Sequence, residues 1–239
     1  MNLPDSSLPE EIKKSMVQIE NNIRDVLAPY YQNEIQGKET ISEEILKTSG
    51  YAEHFPHQLA KEQGSFCTPA SCLHVYQEVK INEDVPVQGV LINCLCTRNE
   101  NEQWKYPFRL KKFHMLELVL VSNQKDLEHY RQELKQMMTQ IFEQFEIPGA
   151  LVSATDAFFL AEHEGARLMQ KMKQLKQEFQ TKIDDETIPL ASLNYHEEYF
   201  TSRFSISTGK HSLCLAFGLE RIAFARAYHT NKFEPLKHS

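Results

Sequence analysis

The stretch FHMLELVLV, residues 113–121, places apolar side chains on both faces of an extended chain. Three leucines share one face, and the other face carries Glu117 among a methionine and two valines. If both faces are covered, Glu117 is a buried carboxylate, which is costly unless it meets a cation, hydrogen-bond donors or a metal ion. The pattern therefore predicts a central strand and makes the partner of Glu117 the first question about function.

Two segments before this stretch are also strand candidates. They are residues 72–79 (CLHVYQEV) and 89–97 (GVLINCLCT). The second of them is predicted to form an antiparallel hairpin with 113–121, through the long and charged connection RNENEQWKYPFRLKK. Loops of that length are uncommon in compact domains unless they have a function.

The rest of the chain divides into predicted helices and predicted strands. Helices are predicted at 9–28, 41–48, 125–146, 161–180 and, after a turn, within 218–229. Strands are predicted within 150–159, 188–207 and 210–217. Because strands and helices are mostly segregated, we expect an α+β fold with a largely antiparallel sheet.

Composition and charge exclude some classes of protein. The chain has 239 residues, of which 41% are hydrophobic and 25% charged, an ordinary globular balance. Its net charge of -7 argues against a protein that mainly wraps nucleic acid. The first residues lack a basic-then-apolar signal pattern and no apolar run approaches a membrane span, so we expect a soluble, cytoplasmic protein without membrane contact.

Five cysteines form an odd set, which makes disulfides an unattractive interpretation for an intracellular protein. Cys94 and Cys96 fall on one side of a predicted strand, and we interpret them as core residues. Cys72 and Cys214, together with Glu117, form a set that suits a catalytic zinc site with one open position. Spacing alone does not establish that site, because no CxxC or HxxxH pair is present, and an arginine bonded to Glu117 stays open as the alternative.

Arginines form a second constellation. Arg98 and Glu100 end one predicted strand before the basic loop, and Arg221 follows Gly218 at a predicted turn into a helix. Each arginine taken singly is typical of a surface salt bridge. The guanidinium fork matches phosphate oxygens, however, and the ordered combination of strand, loop, strand and later turn favours a nucleotide site.

These segments carry a family resemblance. CTRNE with FHMLELV resembles motif 2 of the class II aminoacyl-tRNA synthetases, and LAFGLERIAFA resembles their motif 3. The further blocks GYAEHFPHQL, TPASCLHVY, ATDAFF and SLNYHEEYF resemble the amino acid:carrier protein ligases, which are truncated relatives of the atypical, methanogen-type seryl-tRNA synthetases. The resemblance covers about residues 45 to 228. It implies an antiparallel sheet flanked by helices, with 1–44 as an N-terminal helical segment and 45–239 as the catalytic part of a single domain.

The resemblance also implies a reaction and its partners. An amino acid of the glycine or alanine type is activated by ATP and Mg²⁺ to an aminoacyl adenylate and then transferred to the phosphopantetheine thiol of a carrier protein. A homodimer is expected, and tRNA is not expected as a partner because no segment resembles an appended tRNA-binding domain. Three alternatives remain: aminoacylation of tRNA or another acceptor, a catalytically silent paralogue acting as a regulatory or binding subunit, and a zinc-stabilised binding module.

Matching positions receive roles from the same resemblance. Arg98 corresponds to the arginine that holds the α-phosphate and the substrate carboxylate, and Glu100 to its acidic partner near the adenine end. Phe113 corresponds to the aromatic residue stacked on adenine, and Arg221 to the arginine on the other adenine face that reaches the γ-phosphate. Arg98 and Arg221 are the expected catalytic residues, and no side-chain nucleophile or base is expected.

The remaining matched positions concern the amino acid and the carrier. The relatives hold zinc with the residues that match Cys72, Glu117 and Cys214, and the substrate amino group would take the open coordination site. Asn194 and His196 match the substrate pocket and its magnesium side, although a satisfied core histidine is the alternative for His196. Asp156 is matched without a role. The basic residues of the predicted helix 161–180 are expected either to dock the carrier or to form a solvated face; they are Arg167, Lys171, Lys173 and Lys176.

Overall fold

The computed structural model describes residues 8–82, 84–99, 106–154 and 175–230. The described strands, numbered along the chain, are β1 (Asn33–Gln36), β2 (Thr40–Ile41), β3 (Lys61–Glu62), β4 (Ser65–Cys67), β5 (Gln88–Thr97), β6 (Lys112–Ser122), β7 (Ala150–Ala154), β8 (Lys176–Ile183), β9 (Glu186–Glu197) and β10 (His211–Gly218).

Seven of these strands form one sheet in the order β1-β5-β6-β10-β9-β8-β7, and β2-β4-β3 form a small second sheet. All the pairs in the large sheet are antiparallel except β1 with β5. The predicted hairpin is confirmed, because β5 and β6 pair from Gln88 opposite Val121 to Thr97 opposite Lys112. The α+β fold class with a largely antiparallel sheet is therefore confirmed.

Helices cover both faces of the large sheet. The described α-helices are α1 (Glu10–Leu27), α2 (Glu43–Thr48), α3 (Tyr51–His54), α4 (Cys72–Glu78), α5 (Gln124–Gln144), α6 (Tyr199–Arg203) and α7 (Leu219–His229). Their starts follow local chemistry: the Asn123 side chain accepts a hydrogen bond from the Asp126 N–H and caps α5, and Ser42 caps α2 in the same way. Two short 3₁₀ turns, Ala28–Tyr30 and Pro56–Gln58, complete the helical elements.

The large sheet has a hydrophobic core on each face, which explains the two apolar faces of β6. Leu116, Leu118 and Leu120 enter the core formed with α1, α5 and α7. Val119 and Val121 enter the opposite core, which contains α4 and the buried Cys94 and Cys96. Glu117 lies on this second face, only 4% exposed, next to α4. At the N-terminal end of the chain, α1 packs against α7, and β1 joins the sheet beside β5.

The predicted strand 72–79 is wrong: this segment forms the helix α4. The segment is short and has no clean alternation between apolar and polar residues. In the structure five consecutive residues, from Cys72 to Tyr76, are buried between the sheet and the surrounding elements. A short segment that is buried all round carries no reliable period, so its packing decides the backbone.

The predicted helix 161–180 is wrong where the structure describes it, because residues 176–183 form β8. Leu175 and Phe179 are both buried and lie four positions apart, a spacing that fits a helix face and also one face of a strand. Gln177, Thr181 and Ile183 are also buried, which is the period of two that belongs to a strand. Arg167, Lys171 and Lys173, with the rest of 155–174, lie outside the described residues.

Two smaller findings complete the comparison with the predicted elements. Within 188–207 the strand ends at Glu197, and Tyr199–Arg203 forms α6 instead of continuing it. In the described part of the chain, no helix combines the length and the apolar character that a membrane crossing requires.

Candidate active site

A cleft opens on the face of the large sheet that carries Glu117. Its empty space, including the part open to solvent, is about 1140 Å³. Strands β6, β8, β9 and β10 supply its floor, and α4, the start of α7 and the residues around Arg98 supply its walls. The cleft brings together the predicted site residues that the structure describes, which are Cys72, Arg98, Phe113, Glu117, Asn194, His196, Cys214 and Arg221.

Three potential metal ligands meet at the inner end of the cleft. The ligand atoms of Cys72, Glu117 and Cys214 all lie within 4.8 Å of one another, and the three residues are buried. Oε2 of Glu117 accepts a hydrogen bond from the Cys72 backbone N–H at 3.1 Å and from the Cys214 thiol at 3.2 Å. Among the described residues these contacts are a peptide group and a thiol, so the structure gives no support to an arginine as the partner of Glu117.

The electrostatics of this cluster favour a cation. A hydrogen bond shared with Cys72, burial and the negative Glu117 together hold the pKa of the Cys214 thiol well above its usual range. For Cys72, the hydrogen bond with Cys214 lowers the pKa, but burial and Glu117 outweigh it and the net direction is upward. Without a cation the two thiols resist ionisation beside the carboxylate, whereas a divalent ion would offset two of the three negative charges that the ionised groups carry.

The cluster fits zinc in its chemistry and its spacing. Zinc is bound by cysteine sulfur at about 2.3 Å and by carboxylate oxygen at about 2.0–2.2 Å, so tetrahedral ligands lie roughly 3.5–3.8 Å apart. Ligand atoms within 4.8 Å of one another reach that spacing with small side-chain movements. Three protein ligands with one position left for another group are the pattern of a catalytic zinc site.

Arg98 and Phe113 form the next part of the cleft. The Arg98 guanidinium lies 5.3 Å from the centre of the Phe113 ring, within the range of a cation–π contact. Nε of Arg98 donates to the Pro69 carbonyl oxygen at 2.8 Å. This bond holds one edge of the guanidinium, while the residue itself lines the cleft.

Arg221 is fixed in a similar way at the start of α7. Its Nε donates to the Phe108 carbonyl oxygen at 2.6 Å, and a terminal nitrogen donates to the Pro189 carbonyl oxygen at 3.1 Å. Arg221 and Phe113 both line the cleft, and Phe113 lies four positions before Glu117 on β6. Their placement suits the binding of a flat base between a ring and a guanidinium plane.

Glu220 is a site residue that the sequence reasoning missed. It is 2% exposed, and its two carboxylate oxygens accept from the His114 backbone N–H at 2.8 and 2.9 Å. Nδ1 of His114 lies 2.7 Å from Glu220 Oε1. Because Phe113 precedes His114 and Arg221 follows Glu220, this contact ties together the two sides of the proposed base site. The only sequence signal was its position next to the predicted arginine.

Asn194 and His196 follow one another on the same side of β9. Asn194 lies opposite Cys214 in the strand register, and its Nδ2 donates to Ser192 Oγ at 3.1 Å. His196 is 4% exposed, and its Nδ1 lies 3.2 Å from the Tyr76 hydroxyl. The histidine lines the cleft, as predicted for a residue of the substrate pocket. It also contacts the buried Tyr76 hydroxyl, as predicted for a core histidine.

A second pair that sequence reasoning missed lies on β8. Lys176 Nζ lies 3.1 Å from Glu178 Oε1, and both residues line the cleft. The prediction that Lys176 lies on an exposed helix face is therefore wrong, and its contact with a carrier stays a prediction. A period of two in residues 176–183 was the signal for a strand with Lys176 and Glu178 on its cleft side. The predicted site residues Glu100 and Asp156 lie outside the described residues.

Comparisons with known proteins bear on the family and the fold of the chain. No protein-family model matches the chain. Two curated relatives, amino acid–[acyl-carrier-protein] ligases 1 and 2 of Bradyrhizobium diazoefficiens, are 28% and 26% identical to it over 170 residues. The match covers 69% of this chain and 52% and 51% of the relatives, so the chain spans about half the length of the curated relatives that it matches.

Solved structures establish the fold. The seryl-tRNA synthetase of M. kandleri, solved with A. aeolicus tRNASec, superposes with a TM-score of 0.78 at 14% identity, over 94% of this chain and 53% of that one. The prolyl-tRNA synthetase of Giardia lamblia in complex with prolyl-adenylate has a TM-score of 0.72 at 15% identity, over 91% and 46%. The seryl-tRNA synthetase of Pyrococcus horikoshii complexed with ATP has a TM-score of 0.72 at 13% identity, over 92% and 51%. The chain therefore has the fold of the class II aminoacyl-tRNA synthetases and is similar in sequence to the amino acid–[acyl-carrier-protein] ligases.

Proposed function

We propose that the protein activates a small amino acid with ATP and transfers it to the phosphopantetheine thiol of a carrier protein. The observation that carries this proposal is the meeting, in one cleft, of the Cys72–Glu117–Cys214 cluster with Arg98, Phe113 and Arg221. A metal site that would bind an amino group lies beside residues that would bind a nucleotide. This arrangement suits a reaction between an amino acid and ATP. The names of the two curated relatives support the carrier as acceptor.

In the first step, a carboxylate oxygen of the amino acid attacks the α-phosphorus of ATP. The bond from that phosphorus to the oxygen bridging to the β-phosphate breaks, and pyrophosphate leaves with the electron pair. Arg98 would hold the carboxylate and the α-phosphate together, and the bond from its Nε to Pro69 orients the guanidinium before substrate arrives. Positioning and charge stabilisation of this kind lower the barrier of phosphoryl chemistry without a protein nucleophile.

Phe113 and Arg221 would hold adenine between them, with Arg221 also near the terminal phosphate. The carbonyl oxygens of Phe108 and Pro189 fix the Arg221 guanidinium in its plane. Cys72, Glu117 and Cys214 would hold zinc, which when bound supplies a Lewis-acid position for the neutral amino group of the substrate. Asn194, across the strand pair from Cys214, would bound the space for the amino acid side chain.

In the second step, the carrier thiol loses its proton to solvent and its sulfur attacks the carbonyl carbon of the adenylate. The bond from that carbon to the phosphate oxygen breaks, and AMP leaves. The products are a thioester on the carrier and AMP.

We also propose that the enzyme is a homodimer, which light scattering of the purified protein tests directly.

The acceptor is tested by incubating the protein with ATP, Mg²⁺ and labelled glycine or alanine, together with a phosphopantetheinylated carrier. We expect label on the carrier that hydroxylamine releases, as it does from a thioester, and none on the same carrier without its phosphopantetheine arm. A parallel reaction with tRNA distinguishes the main alternative. Label on tRNA and none on any carrier would contradict the proposed acceptor.

A further inference from the structure

The ion pair of Lys176 and Glu178 lies in the cleft without a role in the reaction described above. Oε1 of Glu178 lies 3.1 Å from Lys176 Nζ, and Oε2 accepts from Gln180 Nε2 at 2.8 Å. The Lys176 and Glu178 side chains are 22% and 17% exposed, so the pair is half-buried in the cleft wall. We propose that Glu178 ligates the Mg²⁺ ion that accompanies the nucleotide, and that Lys176 and Gln180 orient its carboxylate. This inference rests on the proposed use of ATP.

A nucleoside triphosphate enters such a site with Mg²⁺, which proteins hold through one or two carboxylates together with substrate phosphates. Among the described residues, three carboxylates line the cleft: Glu117, Glu178 and Glu220. Glu117 belongs to the cysteine cluster, whose thiol ligands suit zinc and not a hard cation. Glu220 is 2% exposed and has both oxygens on the His114 N–H, with Nδ1 of His114 as a third contact.

Glu178 retains the capacity to bind a metal ion. A carboxylate offers about four lone-pair sites, and the contacts to Lys176 and Gln180 use two of them. Carboxylates that ligate metals are typically held by hydrogen bonds to neighbouring groups, which fix their orientation and raise the affinity of the site. Lys176 and Gln180, each two positions from Glu178 on the same strand, provide that support from opposite sides.

The strand register separates Glu178 from Glu117 of the cysteine cluster by the intervening strands β9 and β10. Glu178 lies opposite Ser192, and Ser192 lies opposite Ala216, which in turn lies opposite Glu117. Lys176 lies opposite Asn194, which lies opposite Cys214. Lys176 is therefore two strands from Cys214 and Glu178 three strands from Glu117, roughly 10 and 14 Å at about 4.8 Å per strand. These distances leave room for the substrate between the cluster and the metal ion.

The test uses Mn²⁺ as the probe, because its binding is visible by electron paramagnetic resonance. Zinc-loaded protein is mixed with ATP in the absence of amino acid, and the affinity for Mn²⁺ is measured for the wild type and Glu178→Gln. We expect the variant to bind Mn²⁺ at least about tenfold more weakly. The affinity for ATP in metal-depleted buffer is expected to change less than about twofold, since Glu178 meets the ion and not the nucleotide.

Two variants serve as controls. Glu186→Gln removes an exposed carboxylate at the far end of the same β8–β9 hairpin and should leave Mn²⁺ affinity unchanged. The double variant Lys176→Gln/Glu178→Gln avoids an unpaired lysine, so a loss of Mn²⁺ affinity that persists in it is not a consequence of misfolding around that charge.

Three outcomes would overturn the inference. They are an unchanged Mn²⁺ affinity in Glu178→Gln, an equal loss in Glu186→Gln, and a loss of affinity for metal-free ATP as large as the loss for Mn²⁺. In each of these cases the wild type binds ATP, so the proposed function stands. A wild type that binds no ATP at all would instead overturn the proposed function, and the role of Glu178 with it.

Discussion

The Sγ atom of Cys214 lies 3.2 Å from Oε2 of Glu117, although the two residues are 97 positions apart in the chain. They are diagonal neighbours on adjacent strands, since Cys214 lies opposite Val119 and Glu117 opposite Ala216. The Cys72 backbone N–H donates to the same carboxylate oxygen from α4. The sheet and the helix together therefore assemble one buried ligand set from three distant segments.

Loss of the Glu117 carboxylate should release the metal. We expect Glu117→Gln, measured by mass spectrometry of the metal content after dialysis, to retain well under half of the wild-type zinc, because a neutral amide is a poor substitute for a carboxylate ligand.

Cys67 supplies the control for that experiment. It is buried and free like Cys72 and Cys214, but it lies on β4 outside the ligand set. Cys67→Ala should keep its zinc, whereas Cys72→Ala and Cys214→Ala should lose it. Wild-type zinc occupancy in Glu117→Gln would rule out the assignment of the site.

A conservative change at Arg98 should be severe. Arg98→Lys keeps the positive charge but loses the planar fork, which both bonds Pro69 and would reach the α-phosphate. We measure the amino-acid-dependent exchange of labelled pyrophosphate into ATP. We expect kcat/KM for ATP in this reaction to fall by about 100-fold, within the range found for loss of one charge-stabilising donor. Arg203→Lys, at the exposed last residue of α6, is the matched control. If the two variants had equal activity, Arg98 would have no role in phosphate binding.

The contact between Glu220 and His114 should affect both stability and nucleotide binding. Glu220→Gln replaces one of the two carboxylate oxygens that face His114 with an NH₂ group, which donates hydrogen bonds and does not accept them. We therefore expect the free energy of unfolding, measured with denaturant, to fall by about 1–3 kcal/mol. The KM for ATP should rise several-fold while the KM for the amino acid stays constant, because Phe113 and Arg221 flank the contact.

Glu198→Gln is the comparison for Glu220, since Glu198 is 52% exposed and lies 3.7 Å from His211 Nε2. It should change the stability by no more than a few tenths of a kcal/mol, as for other exposed pairs, and should leave the KM for ATP unchanged. A Glu220→Gln protein with wild-type KM for ATP would show that the contact only stabilises the fold.

Alkaline stability should depend on Tyr195. Burial, followed by the charges of Glu128 and Glu197, raises the pKa of the Tyr195 hydroxyl from 10.0 to about 12. Between these values the unfolded chain releases the proton while the folded chain keeps it, so the stability contribution is present below pH 10 and is lost as the pH rises towards 12.

Tyr195→Phe removes this titration. Because one pKa unit corresponds to about 1.4 kcal/mol and water screens part of the effect, we expect the wild type to lose about 1 kcal/mol more than Tyr195→Phe between pH 9 and 11. Urea unfolding at the two pH values measures the difference. Parallel losses in the two proteins would contradict the pKa shift.

Sequence reasoning worked where the period was long and unambiguous. The helices α1 and α5 and the strands β5, β6 and β10 agree with their predicted spans within a few residues. It also named the cysteine cluster and the two arginines, which the structure brings into one cleft, because these residues lie within motifs that resemble a known family.

Sequence reasoning failed where local patterns admit two periods. The segment that forms α4 is buried all round, and the Leu175–Phe179 spacing fits a strand as well as a helix. Glu178 was missed because its segment was predicted as a helix, and Glu220 because its partner lies in a distant segment of the chain. Only the three-dimensional structure shows that Glu178 lines the cleft. The same holds for the contact of Glu220 with His114, which is 106 positions away.

The central claim is that this cleft joins an amino acid to AMP. Amino-acid-dependent exchange of labelled pyrophosphate into ATP, measured with zinc-loaded protein and no acceptor, tests it most directly. We predict exchange with one or a few small amino acids such as glycine or alanine, and none with Arg98→Lys above about 1% of the wild-type rate. Folded, zinc-loaded wild-type protein that exchanges no pyrophosphate with any of the common amino acids would contradict the claim.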